Sequence, residues 1–99
     1  MAVFYNDAAL QEGIEAALWY AERSGNLQLR FLRKWKEAEQ RMVAAPEINR
    51  DFGDGLRRCR FQVFPYALIY RILPDGVLEV IAVMHSSRRP GYWHERDED

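Results

Sequence analysis

Residues 64–96, FPYALIYRILPDGVLEVIAVMHSSRRPGYWHER, hold two apolar runs joined by Pro74-Asp75-Gly76 and then change character abruptly. His85, Arg88, Arg89, Tyr92, Trp93 and His94 crowd the segment that follows. The runs predict strands over Ala67–Leu73 and Val77–His85, joined as a hairpin because Pro and Gly supply the dihedrals a tight turn needs. A packed strand that ends in cations and aromatics holds polar groups on a rigid edge, which makes this tail the first place to look for function.

Working outward, Cys59, Phe61 and Val63 alternate with Arg58, Arg60 and Gln62, the period of two of a strand with one wet face. Phe64-Pro65-Tyr66 then marks a turn. Residues 47–55 carry Asn49, Asp51, Gly53, Asp54 and Gly55 and read as a loop, with Ile48 and Phe52 tucked against the core. Further upstream, Leu27 to Ala45 predicts a helix with Leu32, Trp35, Ala38 and Met42 on one stripe, broadened by Phe31 and Leu29, and stopped by Pro46. Leu10, Ile14, Ala17, Leu18 and Ala21 predict another helix, ending near Arg23. Asn6-Asp7 supplies its N-cap, Ser24-Gly25 its end, and Asn26 caps the next helix. Trp19 and Trp35 sit at core-like spacing and read as packing, with an edge of one left for a partner. Val3, Phe4 and Tyr5 predict a short first strand.

The resulting class is α+β in the order β-α-α-β-β-β: a short N-terminal strand, an antiparallel helical hairpin, then a three-stranded antiparallel sheet, in one domain spanning 1–99 with an acidic tail at about 95–99. Strand parity puts Arg58, Arg60, Arg71, Glu79 and His85 on one open face. Phe61, Val63, Leu68, Tyr70, Ile72, Val80 and Ala82 fall on the other, under the helices.

The net charge of −1 argues against a generic polyanion binder, but the arginines gather in the second half and leave room for a local basic surface. Cys59 is the only cysteine, so there is no internal disulfide or thiolate metal cluster, as fits a reducing cytosol. No apolar run approaches bilayer length and no leader is apparent, so the chain reads as cytoplasmic and soluble. His85 and His94 lack metal-ligand spacing, and neither metal nor cofactor is expected.

The element order, with FPYALIYRI, VIAVMH and SSRRPGYWHER, resembles the RelE/ParE superfamily of bacterial type II toxins, in its ParE-like branch. The resemblance spans the whole chain and is most specific in the last third. It implies a plasmid-stabilization type of toxin that interferes with DNA gyrase and is held inactive in a hetero-oligomer with a cognate antitoxin of ribbon-helix-helix type. Two alternatives share the fold: a RelE-like, metal-independent endoribonuclease cutting messenger RNA on the ribosome, and an inactive module that only binds antitoxin.

Metal-free RNA cleavage needs a base for the 2′-hydroxyl, an acid for the leaving oxygen and cations around the phosphate. His85, Arg88, Arg89 and Tyr92 are the candidates for such a site, with Glu79 as a further base. No lysine lies beyond Lys36, and no nuclease motif matches residue for residue, so gyrase is the expected target. Arg88, Arg89, Tyr92 and Trp93 are then the target-facing candidates, and Arg58, Arg60 and Arg71 the antitoxin-facing ones. Each has a plainer role: His85 orienting the turn through a carbonyl or carboxylate, one of Arg88 and Arg89 tied to a carboxylate, and Tyr92-Trp93 packing the chain end on the sheet.

Overall fold

A computed structural model describes residues 2–97. The elements are β1 (Val3–Tyr5), α1 (Asp7–Arg23), α2 (Gly25–Ala44), β2 (Arg57–Arg60), β3 (Tyr66–Ile72), β4 (Leu78–His85) and a short α3 (His94–Asp97), the last not foreseen. β1 pairs parallel with β4, which converts the expected three-stranded sheet into a four-stranded mixed one in the order β1-β4-β3-β2. The acidic end at Glu98 and Asp99 lies outside the described residues.

Local chemistry sets the helix boundaries. Asn6 Oδ1 accepts the Ala9 N–H at 2.8 Å and starts α1. Ser24 ends α1, its N–H donating to Tyr20 O, and starts α2, its hydroxyl accepting from Leu27 N at 3.4 Å. Ser24 therefore takes the capping role expected of Asn26, which lies inside α2. A single residue between the helices forces the antiparallel hairpin.

α1 is rotated from the face its periodicity suggested, whereas α2 packs most of the stripe expected of it. α1 buries Ala9, Gly13, Ala16, Ala17 and Tyr20, whereas Leu10, Ile14 and Leu18 stand in solvent. α2 buries Phe31, Ala38 and Met42 and half-buries Trp35, leaving Leu29 and Leu32 exposed. A small-residue face on α1 lets the large rings of α2 and of the β2–β3 connection come close, so much of the core's bulk comes from Phe31, Trp35, Phe61 and Phe64. Trp19 also departs from the packing role: it is about half exposed, with the Arg23 guanidinium 3.2 Å above its ring.

The sheet holds the correction that matters most for the site. Ile69 pairs with Ala82 but Tyr70 pairs with Val80, so Ile81 is an extra residue in β4, a β-bulge. Beyond it the side-chain parity inverts. Ala82 turns away from the helices into a second cluster with Leu56, Ile69, Ile81, Met84 and Trp93. His85 turns toward them, edge-on to Tyr66 with ring centroids 4.9 Å apart. His85 therefore does not share a face with Arg58, which pairs with Ile69 on the far side.

That far face is not open throughout, because Trp93 folds over it and is only 1% exposed. Phe52 meets the Trp93 edge, while Ile48, expected to be tucked in, is outside. Loop 45–56 is instead anchored by Tyr70, whose hydroxyl donates to Pro46 O at 2.6 Å, and by Arg57 Nη1, which donates to Asn49 O at 2.6 Å. β2 stops at Arg60, and Val63 leaves the alternation with φ 72° and its side chain in solvent.

Candidate functional site at the end of strand 4

β4 delivers His85 to a tight turn. The Arg88 N–H donates to His85 O at 2.9 Å, and the Ser86 N–H to Pro65 O at 2.8 Å. The Ser87 N–H donates to His85 Nδ1 at 3.0 Å, so the neutral ring carries its proton on Nε2. His85 thus orients the turn as an acceptor of a backbone N–H, rather than through a carbonyl or carboxylate. Gly91 then redirects the chain at φ 94°, and a β-carbon there would also press on the His94 ring at 2.9 Å.

The residues after Gly91 are fixed by one carboxylate. Glu12 Oε2 accepts the Tyr92 hydroxyl at 2.6 Å, and its Oε1 accepts Arg96 Nη1 at 2.7 Å and the Val83 N–H at 3.1 Å. Burial, and then the hydrogen bond to Glu12, push the Tyr92 phenol well above the usual tyrosine range. The Arg88 guanidinium lies 3.9 Å from the Tyr92 ring centroid and that of Arg96 5.2 Å. Sequence reading passed over Glu12. A signal was present: position 12 is in phase with Ala9, Gly13, Ala16 and Tyr20 on the buried face of α1, where a carboxylate needs partners.

Two clefts meet at Arg88. One, of about 420 Å³, lies on the helical side between Glu12, Glu15, Trp19, Tyr66 and His85. The other, of about 400 Å³, is lined by Arg58, Arg60, Met84, Ser86 and Pro90, and no carboxylate lines it. Among the described residues, Arg58, Arg60, Arg88 and Arg89 form no ion pair with a carboxylate, so neither member of the Arg88-Arg89 pair is tied down in the way expected. Arg58 lies 5.3 Å from the Phe52 ring, and its Nε is buried without a hydrogen-bond partner.

The structure therefore gathers Arg58, Arg60 and Arg88, and leaves Arg89 exposed beside them. Arg71 lines neither cleft and is bound to Glu79, Nε to Oε1 at 2.7 Å. Trp93 is core rather than surface. Among the described residues, no three His, Cys, Asp or Glu side chains are grouped so as to hold a metal ion. No helix among them is long and apolar enough to cross a membrane. Chemically the arrangement presents uncompensated guanidinium groups. Of its proton-transfer candidates, Tyr92 has its proton held by Glu12 and Glu79 is bound to Arg71, whereas His85 accepts a backbone N–H at Nδ1 and keeps its other ring nitrogen for a partner.

Comparison with known proteins adds the family. A family model described as ParE toxin of type II toxin–antitoxin system, parDE, matches residues 3–90. A chain of a chromosomal ParDE toxin–antitoxin system from P. aeruginosa superposes with TM-score 0.72 at 15% identity, over 86% of this chain and 95% of that one. The isolated E. coli RelE toxin superposes with TM-score 0.59 at 17% identity, over 98% of this chain and 96% of that one. At such identities the likeness is one of fold. No curated protein matches the sequence.

Proposed function

The chain belongs to the ParE toxin family of type II toxin–antitoxin systems, and from that premise we propose that it arrests bacterial growth by acting on DNA gyrase. Arg88, Arg89 and Tyr92 face the target in this reading, and a cognate antitoxin silences the toxin. The observation that carries it is the family match across residues 3–90, which takes in the strand-end turn presenting Arg88 and Arg89. The Tyr92 proton, held by Glu12, supports a binding surface over acid–base chemistry, since a general acid must be free to give its proton to the substrate.

The antitoxin reading rests on two surfaces. Leu10, Ile14 and Leu18 form an exposed stripe along α1, with Leu29 and Leu32 exposed on α2. Contiguous apolar surface of this kind marks a docking face. Arg58 and Arg60 offer charge to an acidic segment; Arg71 offers less, being already bound to Glu79. The partner is therefore a segment both acidic and apolar. Induction of the chain alone, with assays for gyrase-bound DNA breaks and for messenger cleavage, tests the function. Early cleavage of messages on ribosomes without breaks would replace gyrase with the ribosome, and unimpaired growth under confirmed expression would leave an inactive antitoxin-binding module.

A further inference from the structure

Glu12 ties three separate parts of the chain to one carboxylate. It projects from α1, accepts the Val83 N–H of β4, and holds Tyr92 and Arg96 of the C-terminal segment. Val83 lies beyond the reach of β1, whose pairing with β4 ends at Val80. The side chain is 15% exposed, and an anion so poorly hydrated is stable only when fully hydrogen-bonded.

We propose that Glu12 is a positioning residue that, through Tyr92, fixes where the Arg88 guanidinium stands between the two clefts. A hydroxyl held at 2.6 Å from a helix-borne carboxylate stops the Tyr92 ring from swinging, and the Arg88 guanidinium rests 3.9 Å from that ring. Arg88 is exposed and has no carboxylate partner among the described residues, so the stack on Tyr92 is what restrains it. Ordering an exposed arginine costs rotamer entropy, which a target would otherwise have to offset. A preordered Arg88 binds with that cost already met. Glutamate suits the position because its two oxygens serve three donors at once; glutamine would keep one acceptor and lose the charge facing Arg96.

The functional weight of this inference rests on the reading of Arg88 as target-facing, whereas its structural content is tested on the purified full-length chain. With 15N-labelled arginine, the Arg88 Nε–Hε resonance should be displaced by the ring current of Tyr92. Glu12→Ala should move it toward the free-arginine position, Tyr92→Leu should do the same, and the double variant should move it no further. Circular dichroism confirms that each variant is folded. Should Glu12→Ala fail to fold, Tyr92→Phe keeps the ring, removes only the hydroxyl and should shift the resonance in the same direction. A resonance unmoved in a folded Glu12→Ala, or in Tyr92→Phe if that variant stands in, overturns the proposal. In growth assays, Glu12→Ala should weaken arrest as Arg88→Ala does, with no further loss in the double variant. Arrest unaffected by Arg88→Ala, together with a shifted resonance, would refute the target role of Arg88 and leave the positioning intact.

Discussion

The ring of Trp35 lies so close to the backbone of Gly13 that a β-carbon on Gly13 would stand 2.0 Å from the Trp35 ring. In an exposed helix, Gly→Ala stabilises by about 1 kcal/mol through helix propensity. Here the sign reverses. Gly13→Ala must displace an indole whose Nε1 donates to Tyr5 OH at 2.9 Å, and that hydroxyl in turn donates to Glu39 Oε1 at 2.6 Å. We expect Gly13→Ala to cost about 1–3 kcal/mol, the usual range for overpacking, in urea or thermal unfolding. Equal or greater stability would show that Trp35 is free to move.

Much of this architecture could be read from the chain, and the failures have physical causes. Turn and cap residues placed the helices and the β3–β4 hairpin because Asn6, Ser24, Pro46 and Pro74-Asp75-Gly76 act locally. The α1 face differs from its expected one because Leu10, Ile14 and Leu18 repeat at the same spacing as Ala9, Gly13 and Ala17; periodicity gives an angle, and tertiary packing chose the small side. The site was misassembled by one residue. Ile81 bulges out of the ladder, and strict alternation carried past it puts His85 and Ala82 on the wrong faces. A bulge has no signature in an unbroken apolar run, whereas Glu12 in a core phase did have one.

The antitoxin surface is testable by charge insertion. Ile14 is 42% exposed in the middle of the α1 stripe, so Ile14→Lys should leave the unfolding midpoint nearly unchanged. It should weaken the complex by about thirtyfold or more, as expected when a central apolar anchor is lost at about 2 kcal/mol. Isothermal titration with the antitoxin measures this, and undiminished affinity would move the docking face elsewhere.

Alkaline pH should destabilise the fold. Burial raises the Tyr5, Tyr20, Tyr66, Tyr70 and Tyr92 phenols and the Cys59 thiol above their ordinary values. Each group holds its proton more tightly when folded, so stability is full below the ordinary thiol and phenol range and falls as pH rises through it. Unfolding free energy measured from pH 8 to 11 should decline, and Tyr92→Phe should decline less steeply. A flat profile would mean that these groups are solvated.

His85→Gln separates orientation from chemistry. Glutamine can still accept the Ser87 N–H, so a turn-orienting histidine predicts that most toxicity survives. A general acid or base predicts a loss of about a hundredfold or more. Toxicity abolished in a variant that folds and binds its antitoxin would favour the ribonuclease, with Tyr92 the partner to examine next.

The central claim, a gyrase-directed toxin, is tested most directly by recovering DNA covalently bound to gyrase from cells soon after the chain is induced alone, with message integrity mapped in the same culture. The account predicts gyrase-linked breaks and a DNA-damage response while messages remain largely uncut. Codon-positioned cleavage of ribosome-bound messages, with no rise in gyrase-linked breaks, would contradict it.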